Sequence, residues 1–215
     1  LAGTARRGGM LSGKAGIVNL HLGDGIRGLE ILRRILKETE IPASQFLPTH
    51  INRNPHLFEE GIAYAKSGGF VDFTTSTVQA YLDDGEVPCG VALRRMLEAG
   101  VDPGHITFTS DGQGSLPDFD DRGRLRGISV GRVTTLFAAV RDAVLQEKVP
   151  LETALRVITS NPAHILKLRS KGNLAVGLDA DVVLLDPKNL EIHTVIAKGR
   201  TLMKARKPLA KGIFE

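Results

Sequence analysis

Tryptophan is absent from this 215-residue chain, cysteine occurs once, and aromatic residues make up only 5% of it. A lone Cys89 excludes an intramolecular disulfide and points to a reducing compartment, so the cytoplasm is the expected location. So few aromatic rings argue against a platform for stacked bases. Charge of one sign is also scarce. The formal net charge is +4, and Arg33-Arg34 and Arg94-Arg95 fall on amphipathic segments, which reads as solvated helix faces rather than a nucleic-acid footprint. No apolar run approaches the roughly 20 residues needed to cross a bilayer, and no signal-peptide pattern is present. Neither nucleic acid nor membrane is expected as a partner. The 42% apolar and 24% charged residues that remain are enough to build a globular core in one or two domains.

The chain alternates short apolar runs with segments of helical spacing. Strands are expected at 16–21, 46–50, 70–74 and 106–111, each ending near a polar residue. Helices are expected at about 26–37, from Pro55 to the Gly68-Gly69 pair, and at about 90–99, 132–146 and 151–158. Ile26, Leu29, Leu32, Ile35 and Leu36 would form the apolar stripe of the first of these. Residues 1–15 read as a Gly- and Arg-rich loop, 76–88 as a polar loop, and 112–127 as a Gly- and Asp-rich loop. Four strands alternating with helices signal parallel βα units. After Asn161-Pro162 the texture changes to short strand-like runs, such as Asp181 to Leu185 and Ile192 to Ala197. The expected fold class is α/β: residues 1–160 as the C-terminal half of a (β/α)8 catalytic barrel, and 161–215 as a strand-rich segment of a small β-domain. The chain starts at Leu1 without a Met, which agrees with the expectation of a piece of a longer protein.

Chemistry concentrates at three strand ends. His21, His50 and Asp111 each close an apolar run, and a buried parallel strand has no reason to end on imidazole or carboxylate unless that end opens into a site. Active sites of (β/α)8 barrels lie on the C-terminal face, where residues far apart in sequence converge. Two imidazoles and a carboxylate suit zinc or a similar divalent ion. Beside them, Arg53 could pair with a substrate carboxylate, with a salt bridge to a neighbouring loop as the alternative. Ser115 follows the Gly112 and Gly114 positions that let a backbone approach a ligand. His56, His105, His164 and His193 read as ordinary surface or structural histidines.

Two glycine motifs compete. Gly23-Asp24-Gly25-Ile26-Arg27-Gly28 is a literal G-x-G-x-x-G after a strand, which would make the chain a nucleotide-binding module. Against it, the next strand ends in Pro48-Thr49-His50 where a ribose-binding acid is expected. Gly8 to Lys14 matches G-x4-G-K, but Ala15 stands where Mg²⁺ would need Ser or Thr.

The stretches Leu47-Pro48-Thr49-His50-Ile51-Asn52-Arg53-Asn54 and Ser110-Asp111-Gly112-Gln113-Gly114-Ser115, with Gly13 to Gly16 and His21 to Asp24, resemble the C-terminal portion of bacterial isoaspartyl (β-aspartyl) dipeptidases. Gly177-Leu178-Asp179-Ala180-Asp181-Val182-Val183 resembles the last-domain signature of their amidohydrolase superfamily. The resemblance implies a two-zinc enzyme in which His21 and His50 bind metal. Asp111 would bind metal and take a proton from the nucleophilic water, and Arg53 and Ser115 would hold substrate carboxylates. It places a His-x-His pair and a carboxylated bridging lysine in earlier strands, outside these residues. The expected substrate is a small β-aspartyl dipeptide, and the chain alone is expected to be inactive. Its partner would be the missing N-terminal half or a second copy, as a homo-oligomer. A cyclic-amide hydrolase of the dihydroorotase or hydantoinase type is the nearest alternative.

Overall fold

A computed structural model describes residues 1–120 and 122–210. Asp121 and the last five positions of the expected 161–215 segment lie outside the described residues. Four parallel strands form the centre: β1 (Val18–His21), β2 (Phe46–Thr49), β3 (Val71–Thr74) and β4 (Ile106–Thr109). β1 pairs with β2 and β3 with β4, both in parallel. Between β2 and β3 there is no ladder. Instead the Ile51 N–H donates to the Asp72 carbonyl at 3.2 Å, and side chains close the seam. Every residue of β2 and β3 is buried, as expected of parallel strands covered on both faces. The strands do not close into a barrel among the described residues, and β1 and β4 each pair on one side only.

α1 (Ala2–Ser12) precedes β1, and further helices follow the strands: α2 (Glu30–Glu38), α3 (Pro55–Lys66), α4 (Gln79–Asp83) and α5 (Cys89–Glu98). The hairpin β5 (Ser115–Phe119) and β6 (Leu125–Val130) comes next, then α6 (Thr135–Leu145), α7 (Leu151–Arg156) and α8 (Ser160–Ile165). Phe46, Phe58, Phe73, Leu93, Met96, Ile106 and Val140 fill the core between strands and helices. Each such side chain contributes about 1.5–3 kcal/mol through burial. Pro55 starts α3 as expected, with the Asn54 carboxamide accepting the Leu57 N–H at 2.9 Å. The last residues form an antiparallel sheet of β7 (Val182–Leu185), β8 (Ile192–Ala197), β9 (Arg200–Lys204) and β10 (Lys207–Pro208), in the order 10-9-8-7.

Five local expectations are corrected. Residues 2–12 are a helix, not a loop. Gly9 packs against Gly16 so closely that a Cβ on either would strike the other's backbone, and this tertiary contact outweighs the poor helix propensity of three glycines. The polar loop 76–88 contains α4. The glycine-rich stretch after Asp111 contains the β5–β6 hairpin, whose turn is tied by the Asp120 carboxylate accepting the Arg122 and Arg124 N–H groups, each at 2.9 Å. Ile26 is not part of the α2 stripe: it is 94% exposed, four residues before the helix begins. Asn161-Pro162 lies inside α8, in the first turn, where a helix has no use for the missing proline N–H.

The α2 start also removes the dinucleotide reading. Gly28 does not open the helix, and the Leu29 N–H donates to Glu60 Oε2 at 2.7 Å. Glu60 also pairs with Arg33 at 2.5 Å. The protein's own carboxylate thus occupies the helix N-terminus where a phosphate would sit.

Candidate active site

All five residues singled out in the sequence line one cavity of about 910 Å³. His21 ends β1, His50 follows β2 directly, and Asp111 lies two residues beyond β4. His50 and Asp111 both adopt positive φ, 67° and 47°, so each strand turns sharply as it reaches the cavity. Ser115 opens β5, and Arg53 sits in the turn before α3.

The two imidazoles form the tightest part of the site. His50 Nε2 is 3.2 Å from His21 Nδ1, and the rings meet edge to face with centroids 5.1 Å apart. The other His50 nitrogen, Nδ1, lies 2.6 Å from Thr74 Oγ1, so the ring is held from β3. Burial, then the nearby Arg53 charge, pushes the His50 imidazole below its ordinary pKa and favours the neutral form, the one able to bind a metal. Asp111 faces the same cavity from two strands away. Among the described residues, no three His, Cys, Asp or Glu side chains come close enough to hold an ion together. The donor types suit a divalent metal, with His21 and His50 as the converging pair and Asp111 apart from them.

Arg53 both pairs with a neighbouring loop and faces the cavity. Its Nε is 3.8 Å from Glu86 Oε2, its guanidinium lies 4.9 Å over the Tyr81 ring, and its Nη2 is 3.4 Å from His50 Nδ1. Glu86 is buried, and desolvation raises its pKa despite the hydrogen bond from Thr77 and the charge of Arg53. Tyr81 also donates to the Pro117 carbonyl at 3.0 Å, fastening the hairpin over the cavity. Phe119 and the exposed Ile26 add apolar surface at the cavity wall. His56, read as an ordinary surface or structural histidine, lines the cavity too and lies 3.7 Å from Glu60. His105 is structural as expected, its Nδ1 3.1 Å from the Ala65 carbonyl.

Sequence reasoning missed the layer beneath. Asp72, fully buried on β3, accepts hydrogen bonds from Thr49 at 2.5 Å, Thr107 at 2.6 Å and Thr109 at 3.1 Å. Burial raises its pKa to about 6, against the lowering effect of those hydroxyls. Asn52 is buried beside it, donating to the Thr74 and Val87 carbonyls, each at 3.1 Å, and accepting the Thr74 N–H at 2.9 Å. A charged residue inside the apolar run Val71-Asp72-Phe73 was the available signal.

Comparison with known proteins bears on the family and the fold. The structure of a β-aspartyl dipeptidase from Fervidobacterium islandicum AW-1, in complex with β-Asp-Leu dipeptide, superposes with a TM-score of 0.86 at 40% identity. The match covers 99% of this chain and 54% of that one, so the chain spans about half the length of that protein. A triazine hydrolase variant shares the fold, with a TM-score of 0.60 at 16% identity over 98% of this chain and 48% of its own. An allantoinase from Deinococcus radiodurans is 38% identical over 86 residues, which are 38% of this chain and 19% of the allantoinase. The amidohydrolase family model matches residues 85–202, more than half of the 215. The chain belongs to the amidohydrolase family.

Proposed function

We propose that the chain supplies one part of the active site of a zinc-dependent hydrolase of β-aspartyl (isoaspartyl) dipeptides. One observation carries the reading: His21, His50, Arg53, Asp111 and Ser115 line a single cavity at the C-terminal ends of parallel strands. The likeness over 99% of the chain to a dipeptidase solved with β-Asp-Leu supports the substrate class. On this reading residues 1–160 are the C-terminal half of a (β/α)8 barrel, 161–215 belong to a small β-domain, and the open edges of β1 and β4 meet further strands or a second copy.

His21 and His50 would hold the metal. A bound divalent ion supplies polarisation of the scissile carbonyl and activation of water near neutral pH. The Asp111 carboxylate accepts the proton of the attacking water and passes it to the leaving amine. The Arg53 guanidinium, pre-aimed by Glu86 and Tyr81, takes the free α-carboxylate that distinguishes a β-aspartyl peptide from an ordinary one, and the Ser115 hydroxyl adds a second contact. A substrate lacking that carboxylate leaves Arg53 without its ligand, which lowers its rate. On this reading the His-x-His pair that the resemblance implies is supplied by other residues of the enzyme, and this chain by itself is inactive.

The test is hydrolysis of β-Asp-Leu, α-Asp-Leu and a hydantoin, with zinc added, by this chain and by the full-length protein. The expected result is β-Asp-Leu cleavage by the full-length protein alone. Preference for the hydantoin would favour the cyclic-amide alternative, and cleavage by the isolated chain would refute its dependence on further residues.

A further inference from the structure

β3 carries none of the site residues, yet it lies between the strand that presents His50 and the strand that presents Asp111. Ladder hydrogen bonds fix β3 against β4, but none fix it against β2. The height of His50 relative to Asp111 is therefore set by the single Ile51 N–H to Asp72 carbonyl bond and by side chains, not by a ladder. Asp72 stands at that place. Its Oδ2 receives the hydroxyl of Thr49, the residue before His50, and also that of Thr109, two residues before Asp111. Its Oδ1 receives Thr107. We infer that Asp72 is a positioning residue, which holds the ends of β2 and β4 at a fixed separation through Thr49, Thr107 and Thr109 and so sets His50 against Asp111. The inference rests on the functional reading above for the roles of those two residues.

The chemistry of the side chain supports this over plain packing. A carboxylate offers acceptors only, so all three hydroxyls must point at it and their directions are fixed. Burying that charge costs desolvation that the hydroxyls only partly offset, and an apolar core at all four positions would bury the same space without that cost. What the carboxylate adds is geometry. Asn52 and Thr74 form a second clamp across the same seam, and Thr74 reaches the His50 ring directly.

The test compares Asp72→Asn with the near-isosteric Thr49→Val and Thr109→Val, each removing one tie, in metal-free protein at fixed pH. The readouts are the side-chain ¹⁵N signals of His21 and His50 and the carboxyl ¹³C signal of Asp111, with the amide signals of α5 and α6 as a check on the fold. The expected result is that Asp72→Asn and Thr49→Val shift the His50 ring signals, and Thr109→Val shifts the Asp111 carboxyl, while α5 and α6 are unchanged. Folded variants in which the His50 and Asp111 signals stay at their parent positions would overturn the inference. If Asp72→Asn fails to fold, the two valine variants decide it. Because no substrate or metal is present, a full-length protein inactive on β-Asp-Leu would sink the functional reading without touching this result.

Discussion

Asp72 makes a quantitative prediction about stability. Its pKa is about 6 in the folded chain and returns to about 3.8 when the chain unfolds. Between these values the native state holds a proton that the unfolded state has released. Stability from this group is therefore fully present below about pH 4 and is lost as the pH rises through 6. A shift of roughly two units corresponds to about 3 kcal/mol, a large part of the ~5–15 kcal/mol that stabilises a typical domain. Asp72→Asn cannot ionise and removes this dependence. Other groups, such as His50 with its lowered pKa, titrate in parent and variant alike and cancel in the comparison. The assay is urea denaturation followed by circular dichroism at several values between pH 4 and pH 7.5. The stability of the parent minus that of the variant should fall by roughly 2–3 kcal/mol across that range. A difference that stays flat would mean that the buried carboxylate is solvated by something other than the three threonines, and the reasoning would fail.

Three further outcomes follow from the geometry. In the full-length protein, Asp111→Asn should leave the circular dichroism spectrum unchanged and lower kcat by about 10²–10⁴-fold, because an amide cannot accept the proton of the water. Arg53→Met should raise KM for β-Asp-Leu by roughly tenfold or more and leave a substrate without the α-carboxylate little affected; equal loss on both would remove Arg53 from substrate recognition. Gly28→Ala should cost about 1–3 kcal/mol in thermal or urea unfolding, since φ there is +44° and a Cβ would strike the Glu60 carboxylate that caps α2.

The central strands were legible because each is a short β-branched or aromatic run with a glycine or proline boundary. The strand-end residues stood out because polar groups interrupt that pattern where a core would not. α1 was hidden because its support is the Gly9–Gly16 contact, which no local periodicity reports. The β5–β6 hairpin was masked by Pro117 and by flanking glycines, and its pairing shows only when Ser115 meets Val130 across the ladder. Ile26 failed for the opposite reason: it continues the helical spacing, yet Glu60 fixes the start of α2 four residues later. Asp72 was marked only as a charged residue inside a buried apolar run, which shows neither its partners nor its role. Its partners, Thr49, Thr107 and Thr109, are revealed by the parallel arrangement of three strands. Of the two readings of Arg53, the structure shows the salt bridge, to Glu86, and places the side chain on the cavity wall.

The positive φ values of His50 and Asp111 restrict which side chains those two positions can ever carry. The left-handed region admits Asn, Asp, His and Gly far more readily than other residues, and it penalises β-branched ones. Exchange among imidazole, carboxylate and carboxamide leaves the backbone undisturbed at either place. Threonine, valine or isoleucine would first have to unwind the turn that ends the strand. A library aimed at new reactions on this scaffold should therefore vary positions 50 and 111 within the polar, unbranched set. Larger changes in size and shape belong at Ile26 and Phe119, which line the same cavity without positive φ.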